Sequence, residues 1–230
     1  MTQNPASEPS GVSAASDDAR GESRWPMALA VLALMVTTVT ATDGEYARFA
    51  WMIAGIEGLL LVVLILGDPG RIDRRAKWLQ RVNVILVAVI LGTAFAFTGI
   101  LIRGLITGAA ITNEPAALLI AGGKVWLTNN LAFAMLYWQL DRGGPAERAH
   151  DTKRYPDFAF PQLSSPELAP PGWRTQFGDY LYLSFTTANA FSPTDTLPLT
   201  MPAKLAMGVQ ALLSFALVGL VIARAVNVFN

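Results

Sequence analysis

The sequence has no cysteine and only one histidine. The absence of cysteine excludes disulfides, thiol catalysis and most zinc sites. The histidine, His150, lies in a polar stretch that offers no second ligand or base. Three carboxylates, Glu57, Asp179 and Asp195, have no nucleophile, base or metal-ligand partner at the spacing of an active site. The sequence therefore predicts neither an enzyme nor a metal or cofactor site.

Charge is also scarce. Only 15% of the residues are charged, whereas a soluble domain carries about a quarter. The basic and acidic residues balance to a net charge of zero, which gives no reason to expect a nucleic-acid partner. Because 53% of the residues are hydrophobic and the mean hydropathy is +0.40, the composition predicts an integral membrane protein whose partner is the lipid bilayer.

Five long apolar segments divide the chain. A bilayer core about 30 Å thick requires roughly 20 apolar residues in a helix, the form that satisfies its own backbone in lipid. The segments that meet or approach this length are Trp25–Ala41, Phe49–Gly67, Val82–Gly108, Ala116–Leu140 and Met201–Val228. The predicted fold is an all-α, polytopic membrane protein with five transmembrane helices.

The remaining segments are polar or too short to cross. Residues 1–24 are rich in Ser, Ala, Gly and Asp and are predicted to be a disordered tail, without the apolar core of a signal peptide. Residues 25–140 then form a four-helix transmembrane region, and residues 141–175 a polar connecting loop. Residues 176–230 form a last unit that ends in the fifth helix.

The basic residues predict the orientation. The loop from Asp68 to Arg81 carries five of them and should be cytoplasmic by the positive-inside rule. The N-terminus then lies on the same side. Counting the spans places the loop of residues 141–175 there as well.

The segment from Gln176 to Thr200 is unlike the others. Its first part, GDYLYLSFTTANAF, is apolar and aromatic but only about 14 residues long, too short to cross a bilayer. A polar run, Ser192 to Asp195, comes directly after it. Non-helical backbone at membrane depth requires surrounding protein or a water-filled cavity, so the pattern predicts a re-entrant half-helix. The alternative is an amphipathic helix that lies at the membrane interface.

This segment resembles the pore helix and filter of tetrameric potassium channels. Ser184, Phe185 and Thr187 match the pore helix, and Asp195 falls on the Asp after the filter. Pro198 and Thr200 match the channel residues that come next. The resemblance implies a channel-like homo-oligomer, a tetramer, that passes a monovalent cation. It implies these pore- or filter-like residues: Thr186, Thr187, Asn189, Phe191, Ser192, Pro193, Thr194 and Asp195.

The filter itself departs from the pattern. Ser192 and Thr194 stand where potassium channels have glycine, and Pro193 stands where they have tyrosine. Glycine permits backbone angles that other residues adopt only at a cost, and proline fixes φ and lacks an amide donor. A ring of axial carbonyls cannot be built from these residues. We therefore expect no potassium-selective filter.

A second resemblance covers more of the chain. The motifs DYLYLSFT (residues 179–186), WQLDRGGP (residues 138–145), FAFP (residues 158–161) and a closing AVN (residues 225–227) are similar to those of uncharacterised bacterial inner-membrane proteins. That resemblance implies a multi-pass protein of the bacterial inner membrane and names no activity.

Polar residues within the predicted spans are the remaining candidates. Glu57 and Lys124 each lie eight residues into a span that enters from the same face, so both are about 12 Å deep. Opposite charges at matched depth predict an intramembrane ion pair, with a structural or a functional role. Asn129, Asn130 and Gln210 are predicted to form hydrogen bonds between helices.

Two functions remain after these observations. The first is a channel-like ion permeation module that lacks a potassium-selective filter. The second is a non-conducting membrane scaffold, assembly factor or small-molecule-binding protein that retains a pore-like hairpin for packing.

Overall fold

Nearly all of the structure, a computed structural model, is α-helical. It describes residues 21–41, 47–108, 114–150, 155–189 and 195–229. The helices are α1 (Trp25–Thr40), α2 (Ala47–Gly67), α3 (Lys77–Thr107), α4 (Pro115–Leu140), α5 (Pro145–Ala149), α6 (Pro161–Ser164), α7 (Phe177–Asn189) and α8 (Met201–Phe229). Two short strands, β1 (Phe158–Ala159) and β2 (Leu197–Pro198), pair antiparallel.

Each of the five apolar segments predicted from the sequence is a helix. Three of them, α2, α3 and α8, are long and apolar enough to cross a membrane, whereas α1 has 16 residues. Helix α4 has 26 residues but is not among these three. By length and composition the helices are compatible with a membrane protein. Local chemistry sets some ends: Pro26 and Pro115 lie in the first turns of α1 and α4, where no intrahelical donor is needed. Gly108 ends α3 with a φ of 71°, which glycine adopts readily.

Helix α4 lies at the centre of the bundle. It packs against α1, α3, α7 and α8, and residues 128–135 are buried without a break. A helical stretch that is buried on every side is surrounded by protein, whereas Leu119, Ile120 and Leu127 earlier in α4 are exposed. Its Phe133, Tyr137 and Trp138 are among the largest fully buried side chains.

The N-terminal segment and two loops meet at one end of this bundle, called here the basic end. Residue Ser23 forms an isolated β-bridge with Arg71 of the α2–α3 loop. Arg24 forms an ion pair with Asp68 at 3.2 Å. Arg148, in α5, donates a 2.7 Å hydrogen bond to the Glu22 carboxylate. The three segments predicted to share one side of the membrane therefore lie together.

These contacts correct the predicted limit of the disordered tail. The composition predicts that residues 21–24 belong to the tail, yet in the structure they pair with the α2–α3 loop, where the Ile72 amide donates to the Glu22 carbonyl at 3.0 Å. The composition predicts disorder because a segment with few large apolar side chains can bury little surface. Backbone pairing and ion pairs with residues far along the chain supply the order instead. Residues 1–20 lie outside the described residues.

Helix α7 runs antiparallel to α4, from the basic end into the bundle. The ring of Phe177 lies 5.9 Å from that of Trp138, and the ring of Phe185 lies 5.6 Å from that of Trp126. Further along, β2 returns to β1, and the Leu199 amide donates to the Asp157 carbonyl at 2.8 Å. The start of α7 lies beside the last turn of α4, and β2 lies beside residues 157–159. Because the Asp157 amide bonds to Asp141 at the end of α4, α7 starts and β2 lies near the same part of the bundle.

Helix α8 then extends away from the basic end. Its later residues Leu217 and Val221 form a small apolar cluster with Leu101 of α3 and Leu118 of α4. A methyl group added at Gly122 would come within 3.1 Å of Val221, so the glycine permits close approach of α4 and α8.

Candidate functional site

A buried polar network joins α7 to its two neighbours. Gln210 of α8 is fully buried, and its Nε2 donates to the Ser184 carbonyl at 2.9 Å and to the Ser184 Oγ at 2.7 Å. Its Oε1 accepts a 2.5 Å hydrogen bond from the Tyr137 hydroxyl. Ser184 Oγ in turn donates to the Asn130 carbonyl of α4 at 2.7 Å. Helix α7 is thus joined to both α4 and α8 by buried hydrogen bonds.

The predicted hydrogen-bonding residues have different roles in this arrangement. Gln210 links helices as expected. Asn129 does so too, because its Nδ2 donates to Thr98 Oγ1 of α3 at 2.9 Å. The Asn130 side chain instead donates to the Trp126 carbonyl of its own helix at 2.8 Å. Only the backbone of Asn130 takes part in the contact with α7.

Glu57 and Lys124 do not form the predicted ion pair. Lys124 Nζ donates instead to the Thr40 carbonyl, at the last turn of α1, at 2.5 Å. Glu57 is buried in α2, and its Oε2 has no hydrogen-bond partner. Matched depth alone therefore gave the wrong partner, because the direction in which a side chain leaves its helix matters as much as its depth. Lys124 reaches a carbonyl that the end of α1 leaves unsatisfied.

Three of the filter-like residues that the structure describes donate hydrogen bonds within α7. The hydroxyls of Thr186 and Thr187 donate to the carbonyls of Tyr182 and Leu183, and Asn189 Nδ2 donates to the Phe185 carbonyl. Thr187 is buried, whereas Asn189 and Asp195 are exposed. Phe191, Ser192, Pro193 and Thr194 lie outside the described residues.

A second polar cluster lies where α7 begins, and the sequence did not predict it. The Asp141 carboxylate is fully buried at the end of α4. Its Oδ2 accepts a 2.5 Å hydrogen bond from the Tyr180 hydroxyl, and its Oδ1 accepts one from the Asp157 amide at 2.8 Å. Arg148 lies over the Tyr180 ring, 5.0 Å from its centroid, and donates to the carbonyls of Trp138 and Asp141 at 2.7 and 2.9 Å. A cation in this position is attracted by the face of the ring.

Arg148 is held as a permanent cation. Burial by itself lowers the pKa of its guanidinium, but the neighbouring Tyr180, Glu22 and Asp141 act in the opposite direction and raise the pKa above its ordinary value overall. The hydrogen bonds of this cation therefore join the end of α4 to the N-terminal segment, and its guanidinium contacts α7 through the face of the Tyr180 ring.

The segments marked by the second resemblance supply most of this cluster. WQLDRGGP contributes Asp141, DYLYLSFT contributes Tyr180, and the FAFP aromatics surround the ring. Phe160 packs edge-to-face on Tyr180 with centroids 5.3 Å apart, and Phe158 lies at 6.4 Å. Asp157, just before FAFP, accepts from the Thr200 hydroxyl at 2.6 Å and from the Arg142 amide at 2.9 Å. The motifs were the signal that could have identified the cluster, but their contacts span too much sequence to be deduced from spacing.

In the described ranges no group of three or more His, Cys, Asp or Glu side chains could hold a metal ion. No protein-family model, curated protein or solved structure matches the chain.

Proposed function

We propose that the chain is a channel-like ion permeation module of the bacterial inner membrane, with five transmembrane helices and α7 as a re-entrant half-helix. The observation that supports this most is the course of the chain around α7. The 13 residues of α7 extend about 20 Å, less than the roughly 30 Å of a bilayer core. Residues 189–197 are long enough, at about 3.3 Å per residue, to return to β1 in an extended form.

The packing of α7 favours a re-entrant position over an interfacial one. One face of the helix, with Tyr180, Leu183, Ser184 and Thr187, is buried against the bundle. A helix at the membrane interface would keep its polar face in water. Here the polar groups Ser184 and Thr187 are turned inward, and Ser184 bonds to α4 and α8.

A pore would require several copies of the chain. Each chain supplies one half-helix, so a lined pathway forms only when copies surround an axis, as the resemblance to tetrameric channels implies. Large apolar side chains are exposed on both α7 and α8. They include Tyr182 and Phe185 of α7 and Leu205, Leu212 and Phe215 of α8. In a membrane these side chains contact lipid or a neighbouring copy.

One observation favours the alternative, a non-conducting scaffold or small-molecule-binding protein. The side chains of Thr186, Thr187 and Asn189 donate hydrogen bonds within α7. Over residues 201–226 of α8, the exposed side chains are apolar apart from Lys204. A hairpin kept only for packing requires no more than this.

Two measurements on the purified protein separate these functions. Native mass spectrometry in mild detergent gives the number of copies, and proteoliposomes loaded with a cation-sensitive dye give the monovalent-cation flux. Several copies together with a flux above that of protein-free liposomes support the permeation module. A single copy without flux contradicts it and supports the alternative.

A further inference from the structure

A large pocket lies at the basic end and is separate from the α7 network. It has a volume of about 490 Å³, within the range of roughly 300–1,000 Å³ typical of small-molecule sites. Its wall is formed by the N-terminal segment, the α2–α3 loop, the region around α5 and residues 170–176. Arg71 and Arg174 on this wall are exposed, so the pocket is open to solvent.

The wall is strongly basic. It carries four arginines, Arg71, Arg142, Arg148 and Arg174, and one carboxylate, Glu22. That carboxylate is already bonded to Arg148 through its Oε1 at 2.7 Å. In the parts of the chain that are described, Arg174 has no ion pair. Asp141, behind the wall, lies 3.9 Å from Arg142 Nε. Four guanidinium groups thus meet two carboxylates, which leaves the wall with an excess of positive charge.

Two guanidinium groups on the wall have an unused donor. The Nε atoms of Arg142 and Arg148 are buried and have no hydrogen-bond partner. The Arg148 side chain is only 6% exposed, and Arg142 Nε lies 3.9 Å from the Asp141 carboxylate, too far for a hydrogen bond. Buried donors without a partner in the protein are rare, and Glu22 Oε2 on the same wall is a buried acceptor that also has none.

The backbone fixes the position of one of these arginines. Arg142 has a φ of 53°, in the left-handed region that residues other than glycine seldom adopt. Its amide donates to Asp157 Oδ2 at 2.9 Å, a contact that holds this conformation. Gly143 and Gly144 come next, also with positive φ. The DRGG turn thus places the arginine on the wall in a defined orientation.

We propose that this pocket binds a phosphate-bearing anion through Arg142 and Arg174, with Arg71 and Arg148 contributing to the positive field. Arginine suits phosphate because its planar guanidinium makes two parallel, charge-assisted hydrogen bonds. Two sources offer this chemistry at the basic end of a membrane protein. One is the headgroup of an acidic phospholipid, for which basic pockets at the cytoplasmic face are suited, and the other is a soluble phosphate compound.

The test compares two double variants that lose the same charge. Arg142→Gln/Arg174→Gln removes two cations from the wall, whereas Arg75→Gln/Arg103→Gln removes two exposed cations that do not line it. Isothermal titration with inorganic pyrophosphate in detergent tests the soluble source. Native mass spectrometry of lipid retained from nanodiscs of phosphatidylcholine with phosphatidylglycerol tests the headgroup.

The pocket variant is Arg142→Gln/Arg174→Gln, and the control variant should bind pyrophosphate as the unaltered protein does. A loss of affinity of about tenfold or more in the pocket variant alone supports a soluble phosphate ligand. Selective retention of phosphatidylglycerol, lost in the pocket variant only, supports the headgroup. Failure of both probes to bind the unaltered protein, or equal loss in the two variants, overturns the proposal. An unfolding temperature within about one degree of the unaltered protein's shows that each variant has folded. None of these results depends on ion conduction. The anion-binding proposal and the permeation proposal can therefore be contradicted separately.

Discussion

The hydroxyl of Tyr180 donates a 2.5 Å hydrogen bond to the carboxylate of Asp141, and both residues are fully buried. This contact joins the first turn of α7 to the end of α4 across 39 positions of sequence. It fixes the position of the start of α7 against the end of α4.

Removal of the Tyr180 hydroxyl should destabilise the protein. Tyr180→Phe leaves a buried carboxylate oxygen without its donor, which typically costs about 1–3 kcal/mol. We expect a clear fall in the unfolding temperature in detergent. Tyr182→Phe is the matched control, because that side chain is 63% exposed. Equal effects of the two substitutions would show that the hydrogen bond to Asp141 contributes nothing.

Two substitutions on α8 should have opposite effects. Gln210→Leu removes the bonds to Tyr137 and Ser184 and leaves their buried polar groups unpaired, at a cost of about 2 kcal/mol or more. Ser214→Ala, one turn further on, removes a buried hydroxyl that has no hydrogen-bond partner and should leave stability unchanged or raise it. Thermal unfolding of both variants in the same detergent measures the contrast. A larger loss from Ser214→Ala than from Gln210→Leu would contradict the network.

Glu57 and Lys124 should act independently. Lys124→Met removes the hydrogen bond to the Thr40 carbonyl, for a loss of about 1 kcal/mol. Glu57→Gln removes a buried carboxylate with an unpaired oxygen and should be neutral or stabilising. The double variant should equal the sum of the two within about 0.5 kcal/mol. A double variant that recovers stability lost in both single variants would restore the ion pair that the sequence predicted.

The helices could be predicted because long apolar runs need no information beyond composition. The start of α3 could not be predicted in this way. The helix begins at Lys77 instead of Val82, because Trp78 and Gln80 are helical although they precede the apolar run. The partners of Asp141 and Lys124 were not predictable, because each contact joins segments far apart in sequence. Composition and depth locate a residue along a helix but do not show which neighbour it faces.

If the protein conducts, it should discriminate weakly between potassium and sodium. Pro193 lacks an amide donor and has a fixed φ, and Ser192 and Thr194 replace the glycines that a carbonyl filter requires. Fluxes of the two cations into the same proteoliposomes should be similar. A strong preference for potassium would mean that the alignment with the channel filter is wrong.

The re-entrant course of residues 177–200 is the central claim, and cysteine labelling tests it directly. The chain has no cysteine of its own, so single cysteines at exposed Leu168, before α7, and at exposed Lys204, in α8, can be labelled separately. Exposed Thr107, at the end of α3, provides the reference for the opposite end. With a membrane-impermeant maleimide and intact cells, we expect Thr107→Cys to label, and Leu168→Cys and Lys204→Cys to label only after the membrane is opened. Labelling of Leu168→Cys and Lys204→Cys from opposite sides would show that α7 belongs to a full span and would contradict the account.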